Sequence, residues 1–367
     1  MERNPKILKW LDRYLGIPFI FFLSLFRKKR IRPEIIDSVG IFAFAAIGDS
    51  ILSSVLITSI KKQYPLASIT IFASKANVSI YSVMTGFDKL VQLPVTRPWL
   101  AAPILRQHPV DILIDTSQWS RLGALYCLFA KAKWTVGFRT PGQCRAGAYD
   151  AVVEHSNDCH ELENFQKLLV PLGVNPSDTL ALSGNLKNPT DLENGLAVGK
   201  YIVIHPWASG SHSDLREWPA SSWVSLAKDL IGRGVKVLIS GSLADRQKAK
   251  KLAQAIDEGN EVKVIAGEAS FQSLCNLLMH ARGCISVNTG IAHLAAGLGV
   301  PTMALNGPTN PKRWGILGKN VTNINVLEGQ GGVFLNLGFE YPPKSQYIMN
   351  QIMVDSVLDA LNQWGID

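Results

Sequence analysis

The sequence lacks several patterns that would assign it to a common functional class. Its 367 residues contain no G-x-x-x-x-G-K-[ST] and no G-x-G-x-x-G motif, so neither a P-loop nucleotide hydrolase nor a dinucleotide-dependent oxidoreductase is supported. There is no Asp-x-Asp pair that could hold a metal ion. The five cysteines are an odd number, widely spaced and without a C-x-x-C pair. This usage is typical of buried free thiols in a reducing compartment.

Charge is also scarce, and it is unevenly placed. Charged residues make up 18% of the chain and hydrophobic residues 47%, which excludes a disordered chain and, at this length, indicates two packed domains. The formal net charge is +8, yet residues 1–32 alone hold nine basic and two acidic side chains. The rest is close to neutral, so the folded domains have no excess of basic charge for binding nucleic acid. An anionic membrane surface is the better partner for residues 1–32.

The apolar run at 14–26, YLGIPFIFFLSLF, is too short to cross a bilayer, which needs about 20 such residues. A basic cluster follows the run and no small-residue cleavage site is present, so a signal peptide is disfavoured. We predict that residues 1–32 form an amphipathic membrane-associating segment, with aromatic side chains in the acyl boundary and basic side chains at anionic headgroups. The alternative is a helix packed on the first domain, and both could hold together.

From Ser38 onward, short apolar runs alternate with amphipathic stretches, which predicts βαβ units and parallel sheets. In the first half we predict two helices, at 50–64 and 162–173. Strands are predicted at 38–44, 68–74, 111–117 and 134–138. A polar stretch at 175–199 is the predicted linker, which divides the chain into domains of residues 33–185 and 186–367.

After this linker the same pattern restarts. Strands are predicted at 201–206, 235–241, 262–267, 284–288 and 302–307, separated by four helical patterns. The spacing is typical of a second doubly wound sheet, in which ligands bind beyond the carboxyl ends of the strands. The residues at those ends are therefore the candidates for chemistry.

The segment at 286–314, SVNTGIAHLAAGLGVPTMALNGPTNPKRW, combines a strand end, an Asn-Thr-Gly turn, a short helix and a second strand. Gly290 at the helix start leaves backbone N–H groups unpaired, and these donors together with the helix dipole favour phosphate. The segment therefore predicts a cradle for a diphosphate.

This segment resembles the signature of the GT-B glycosyltransferases that include the lipopolysaccharide heptosyltransferases, glycosyltransferase family 9. HPWASGSHSDLREWP at 205–219 is similar to a family loop that ends in a basic residue, one variable residue and Trp-Pro. IGDSILSSVLITSIKKQYP at 47–65 resembles the family's first-domain Gly-Asp loop and helix. The three motifs occur in the family's order and cover most of the chain. The resemblance implies two Rossmann-like, doubly wound parallel-sheet domains facing an interdomain cleft, the first binding the acceptor and the second the nucleotide sugar.

The resemblance also implies roles for individual residues. Asp49 takes the position of the catalytic base, although an aspartate at such a turn could equally be a helix cap. The implied donor-binding residues are Arg216, Glu268, Asn288, Thr289, Gly290 and His293. For His293 the alternative is a packed histidine, and for Glu268 a solvated charge. The candidate acceptor-binding residues, which could instead be ordinary surface arginines, are Arg121, Arg139 and Arg145.

The function implied by the resemblance is an inverting, metal-independent transfer of a heptose or related sugar. The donor would be a nucleotide-diphosphate sugar such as ADP-heptose, the acceptor a lipopolysaccharide core or related surface glycan, and the location the cytoplasmic face of the bacterial inner membrane. No cofactor or metal is expected. Two residues depart from the family pattern: Asn288 replaces a typical Asp, and Arg216 a common Lys, so the preferred sugar could differ. The alternatives are a nucleotide-sugar epimerase or hydrolase on the same scaffold, and a non-catalytic scaffold protein.

Overall fold

We describe the protein from a computed structural model, which covers residues 10, 12–44, 46–182, 196–210, 212–257, 259–327, 329, 331–335 and 345–364. Two compact units lie within Asn4–Ser183 and Gly184–Asp367. Much of the predicted linker, residues 183–195, lies outside the described residues. Each unit contains one parallel six-stranded sheet with helices, as the doubly wound pattern predicted.

The first unit is built on a sheet with the order β3-β2-β1-β4-β5-β6. Its strands are β1 Ser38–Ala43, β2 Ser68–Ser74, β3 Lys89–Leu93, β4 Val110–Asp115, β5 Ala132–Arg139 and β6 Ala151–Glu154. Its α-helices are α1 Gly16–Leu25, α2 Ile47–Ser53, α3 Val55–Gln63, α4 Pro98–Gln107, α5 Arg121–Phe129 and α6 Glu161–Lys167. Short 3₁₀ turns cover Val78–Val83, Ala146–Ala148 and Val170–Leu172.

The second unit has a sheet with the order β12-β11-β10-β7-β8-β9. Its strands are β7 Tyr201–His205, β8 Lys236–Ile239, β9 Val262–Val264, β10 Gly283–Val287, β11 Thr302–Asn306 and β12 Val321–Asn325. Its α-helices are α7 Ala220–Gly232, α8 Arg246–Ile256, α9 Phe271–His280, α10 Gly290–Gly297, α11 Pro311–Trp314 and α12 Val354–Asn362. Short 3₁₀ turns cover Ser213–Arg216, Leu243–Asp245 and Ser345–Gln351.

All nine predicted strands are confirmed to within a few residues. Eight of them are apolar runs that are mostly buried in a parallel sheet, and the ninth, β9, is a half-buried edge strand. The predicted helix at 50–64 is instead two helices, α2 and α3, which meet at Ser54. The predicted helix at 162–173 is α6 followed by a 3₁₀ turn, and Gly173 ends it with a φ of +67°. The sequence missed β3, β6 and β12, which lie at sheet edges and are mostly exposed or half-buried, so they lack the apolar signal.

Helix α1 packs against the first unit. Ile20 belongs to that unit's core and is 1% exposed. Asp12, which precedes α1, also contacts the first unit. Its carboxylate accepts hydrogen bonds from the backbone N–H groups of Arg121 and Leu122, at 2.9 and 3.2 Å, and so caps the start of α5. The packed-helix alternative is therefore confirmed, and it leaves one side of α1 exposed. That side carries Phe19, Phe21, Phe22, Leu25 and, just beyond the helix, Phe26.

The basic cluster that follows α1 divides into two parts. Arg27 and Arg30 both pair with the buried carboxylate of Asp150, at 2.8 and 2.9 Å, and Arg32 donates to the carbonyl of Leu172. The buried Asp150 carboxylate and the backbone carbonyl require these donors. Arg30 and Arg32 are also exposed, and contact of the basic cluster with headgroups stays a prediction. Lys28 and Lys29 remain exposed.

The ten residues of the helix include no charged side chain, as the uncharged run at 14–26 predicted. The amphipathic, membrane-associating character of residues 1–32 stays a prediction. Of the helices within the described ranges, none has both the length and the apolar character needed to cross a bilayer.

Candidate active site

Asp49 lies at the carboxyl edge of the first sheet, in the first turn of α2 immediately after β1. Its Oδ2 accepts a hydrogen bond from the backbone N–H of Ala46 at 3.2 Å, and its Oδ1 accepts one from Nε2 of Gln118 at 3.2 Å. The side chain is half-buried. The N-cap of α2 is Ala46, so Asp49 is not the N-cap of the alternative interpretation; it caps the helix from the third helical position through its bond with Ala46. Its catalytic role stays a prediction. Gln118, which follows β4, was missed by the sequence analysis.

A buried charged cluster lies at the carboxyl end of β4. Nη2 of Arg145 is 2.6 Å from Oδ2 of Asp115, and the hydroxyl of Tyr149 donates to the same oxygen at 2.6 Å. Gly137 makes room for it, since a Cβ there would lie 2.4 Å from the Tyr149 ring. Burial raises the pKa of Tyr149 well above its ordinary value, so the phenol keeps its proton. Arg145 thus holds the strand ends together from inside, and its role in acceptor binding stays a prediction.

The two other acceptor candidates occupy different environments. Arg121 is 5% exposed, and its Nη1 lies 3.1 Å from the Asp12 carboxylate. Arg139 ends β5, is exposed, and pairs with Glu154 at 2.9 Å. An exposed pair of this kind is weak and can exchange partners. Arg139 is therefore the candidate whose guanidinium is accessible, although acceptor contact stays a prediction for all three arginines.

The predicted diphosphate cradle forms a turn at the carboxyl end of β10. Thr289 is the N-cap of α10, and its hydroxyl oxygen accepts from the backbone N–H of Ile291 at 3.3 Å. Gly290 is the first helical residue, so the helix begins where the sequence predicted. The first turn of a helix directs unpaired N–H groups outward, which suits an anion. Phosphate binding by Thr289 and Gly290 itself stays a prediction.

Asn288 belongs to a network of asparagines at the ends of three neighbouring strands. Its Nδ2 donates to Oδ1 of Asn306 at 2.6 Å and to the carbonyl of Trp314 at 2.9 Å. Nδ2 of Asn306 in turn donates to Oδ1 of Asn323 at 3.1 Å and of Asn325 at 2.9 Å. The network requires an amide at position 288, because a carboxylate has no hydrogen to donate. The sequence showed only that Asn288 replaces a typical Asp.

His205, at the carboxyl end of β7, is a site residue that the sequence analysis did not single out. Its Nδ1 is 2.9 Å from the hydroxyl oxygen of Ser240. Burial lowers the pKa of His205 to about 4, against a weaker upward effect of Asp245, so the ring is neutral at pH 7. The available signal was its position, since it ends a predicted strand and begins the 205–219 motif.

The remaining donor candidates are spread along the same edge. Arg216 ends the 3₁₀ turn in the loop after β7, and its Nη2 donates to the carbonyl of Ser209. Glu268 follows β9 and pairs with Arg246 at 2.6 Å, in an exposed contact. His293 lies in α10 and is 6% exposed, which agrees with the packed-histidine alternative. Ligand contact stays a prediction for these three residues.

The structure brings His205 and the Asn288–Gly290 turn together, because β7 and β10 are neighbours and His205 pairs in register with Ser286. The chain departs from these two strands in opposite directions across the sheet. Such a switch point is where doubly wound sheets bind ligands. Glu268 is farther away, since β9 is separated from β7 by one strand.

The comparisons with known proteins agree with this architecture. The sequence model of glycosyltransferase family 9 (heptosyltransferase) matches residues 103–332. Lipooligosaccharide heptosyltransferase 2 of Haemophilus influenzae is 24% identical over 311 residues, which are 77% of this chain and 87% of that protein. Among solved structures, E. coli ADP-heptose lps heptosyltransferase II aligns with a TM-score of 0.72 at 21% identity, over 89% of this chain and 98% of that one.

A second solved structure, E. coli heptosyltransferase WaaC with ADP-2-deoxy-2-fluoro heptose, aligns with a TM-score of 0.65 at 19% identity, over 89% of this chain and 99% of that one. At these identities the structural likeness establishes the fold. The family match covers more than half of the chain. The chain therefore belongs to glycosyltransferase family 9, the heptosyltransferase family, and is a glycosyltransferase with two doubly wound parallel-sheet domains.

Proposed function

We propose that this protein transfers a heptose or closely related sugar from an ADP-sugar to the lipopolysaccharide core or a related surface glycan. The relatives are named lipopolysaccharide and lipooligosaccharide heptosyltransferases, and one structural neighbour holds an ADP-heptose analogue. The observation that carries the proposal is the Asp49 carboxylate, held at a strand edge by Ala46 and Gln118. A general base needs a fixed carboxylate of this kind.

The proposed reaction is one inverting displacement. Asp49 takes the proton of the acceptor hydroxyl as its oxygen attacks the anomeric carbon. The bond from that carbon to the diphosphate breaks on the opposite face, and ADP leaves. Because a diphosphate is a stable leaving group, no second carboxyl is needed to protonate it. Inversion follows from a single attack from the face opposite the leaving group.

The charge that develops on the departing diphosphate requires hydrogen-bond donors. We assign this role to the N–H groups at the start of α10, the Thr289 hydroxyl and the guanidinium of Arg216. Arg216 is suited because its known partner is a neutral carbonyl, and no ion pair with a carboxylate is present within the described residues. The proposed reaction uses no metal ion.

An assay with purified protein, a panel of nucleotide-diphosphate sugars and a core glycolipid acceptor tests the proposal. We expect labelled sugar to move from the ADP-sugar to the lipid, with inverted anomeric configuration by NMR and unchanged rates after treatment with EDTA. Label that stays free or nucleotide-bound would identify a hydrolase or an epimerase instead. Retained configuration, or loss of rate with EDTA, would refute the inverting or metal-independent part.

We also propose that the protein associates peripherally with the cytoplasmic face of the inner membrane through α1. Support comes from its exposed phenylalanines and from the adjacent exposed Lys28 and Lys29, which suit acyl chains and anionic headgroups. Phe21→Ser together with Phe22→Ser should reduce co-sedimentation with anionic vesicles. Tyr347→Ser, an equally exposed aromatic in the second unit, is the matched control. Equal sedimentation of the two variants would exclude α1 as the contact.

A further inference from the structure

The neutral histidine at the switch point of the second sheet has no role in the reaction as proposed above. His205 ends β7, beside Ser286 of β10, and the turn Asn288–Gly290 follows that neighbouring strand. A side chain there lies where a doubly wound sheet binds its ligand. At the end of β10 itself, the hydroxyl oxygens of Ser286 and Thr289 lie 3.3 Å apart.

The hydrogen bonds of Ser240 determine which nitrogen of the His205 ring carries the proton. Ser240 is buried, and its hydroxyl donates to the carbonyl of Ile204 at 3.0 Å. A hydroxyl has a single hydrogen, so the same oxygen can only accept from Nδ1 of His205 at 2.9 Å. Nδ1 therefore carries the hydrogen, and in the neutral ring Nε2 is a hydrogen-bond acceptor.

Nε2 has no hydrogen-bond partner within the described part of the chain, and the His205 side chain is half-buried rather than enclosed. The acceptor nitrogen is thus available to a ligand. It cannot bind a phosphate oxygen, because both atoms would be acceptors. Next to the diphosphate of a nucleotide sugar, the hydroxyls of the ribose and of the transferred sugar are the donors that fit.

We propose that His205 is a donor-binding residue whose Nε2 accepts a hydrogen bond from a sugar hydroxyl of the nucleotide sugar, with Ser240 as its positioning residue. This inference rests on the proposed function for the class of ligand. It adds a neutral hydrogen-bond acceptor to a site in which Thr289, Gly290 and Arg216 are assigned to the phosphates. The residue would therefore contribute to recognition of the sugar rather than to charge stabilisation.

Two substitutions test the roles of the two ring nitrogens separately. In His205→Asn the amide can still donate to Ser240 in the place of Nδ1 but has no atom at the position of Nε2. In His205→Gln the longer side chain puts an oxygen near the position of Nε2. We expect His205→Asn to weaken binding of ADP-heptose about tenfold by calorimetry, since one hydrogen bond is lost, and His205→Gln to stay within about threefold of the unmodified protein.

ADP alone serves as the second probe. If the hydroxyl belongs to the ribose, His205→Asn weakens ADP and ADP-heptose equally, and if it belongs to the transferred sugar, only ADP-heptose is affected. Nitrogen-15 NMR of histidine-labelled protein should show the Nδ1–H form of His205 in the unmodified chain. The Nε2 signal should shift when ADP-heptose is added, whereas a purely structural role of His205 requires no such shift.

Unchanged affinity of His205→Asn for both probes, or an Nε2–H ring in the unmodified protein, would overturn this inference. If sugar transfer is observed while His205→Asn binds like the unmodified protein, only the role of His205 fails. If the unmodified protein binds neither ADP nor ADP-heptose, the proposed function fails together with it.

Discussion

The two sheets have the same topology, but the polar groups at their carboxyl edges differ. In each unit the first strand lies beside the fourth, β1 beside β4 and β7 beside β10. The first edge is charged, with the carboxylate of Asp49 and the buried ion pair of Arg145 and Asp115. Along the second edge, the groups at the switch point are neutral: amides, hydroxyls and an uncharged imidazole.

Strand order determines where functional groups lie, while side chains determine what those groups can do. A charged carboxylate can remove a proton, whereas neutral hydrogen-bond donors and acceptors can hold a diphosphate and sugar hydroxyls without repelling the anion. The charged, reactive edge and the neutral, binding edge should therefore respond differently to substitution.

The largest effect is expected for Asp49→Asn at the charged edge. Asn can still accept the hydrogen bond from Ala46, so the fold should be kept, but it cannot take a proton. We expect kcat to fall by about 10² to 10⁴-fold, with the affinity for the donor little changed. Steady-state kinetics together with thermal unfolding would show this separation. A variant within tenfold of the unmodified rate would remove Asp49 from the mechanism.

Arg145→Met tests the buried ion pair of the same edge. Removing the guanidinium leaves the Asp115 carboxylate buried without its counter-charge, so the free energy of unfolding should fall by about 3 to 5 kcal/mol in urea titrations. Arg139→Met, in an exposed pair with Glu154, should cost no more than about 1 kcal/mol. If Arg145→Met instead folded normally and raised KM for the acceptor, Arg145 would act in acceptor binding rather than in stability.

Asn288→Asp tests the neutral edge. The new carboxylate would meet the acceptor oxygens of Asn306 and Trp314 with no hydrogen to donate, so we expect a loss of about 1 to 3 kcal/mol in unfolding free energy. Asn325→Asp is the matched control, because Asn325 only accepts in this network and a carboxylate can accept in its place. Equal stability of the two variants would show that the hydrogen-bond direction is not important.

The smallest effect is a pH dependence that comes from His205. Its pKa is lowered to about 4 in the folded protein from about 6.5, so the unfolded chain binds a proton first as the pH falls. Stability should therefore be lost between about pH 6.5 and 4, by roughly 2 kcal/mol after allowing for partial exposure. His205→Asn should remove this component, and the difference between the two unfolding curves measures it without contributions from other groups.

At the opposite edge of the first sheet, where Asp150 precedes β6, the pH dependence lies lower. Hydrogen bonds and ion pairs with arginine hold the pKa of Asp150 below its ordinary value despite the opposing effect of burial. Stability from this group is present above about pH 4 and is lost as the pH falls through its lowered pKa. A difference between the unmodified protein and His205→Asn that appeared only below pH 4 would contradict the assignment of the higher range to His205.

The sequence by itself determined the strand pattern, the positions of both switch-point turns and the family. These depend on local signals: apolar runs of strand length, a Gly at a helix start, and motifs of consecutive residues. It could not reveal β3, β6 or β12, because edge strands that are mostly exposed or half-buried lack the apolar signal. The sequence identified Asp49 and Asn288 as candidates but not the groups that orient them, because Gln118 and Asn306 are distant from them in the chain.

Only the tertiary structure decided how those groups are used. Asp12 meets Arg121, His205 meets Ser240, and Arg145 meets Asp115 across separations of 109, 35 and 30 residues. A hydrogen bond of this kind forms only after the strands are placed side by side, and burial then determines whether an arginine is a surface contact or an internal ion pair. Folding therefore determines which partner a polar side chain has, and through that partner the charge state and the orientation of the side chain.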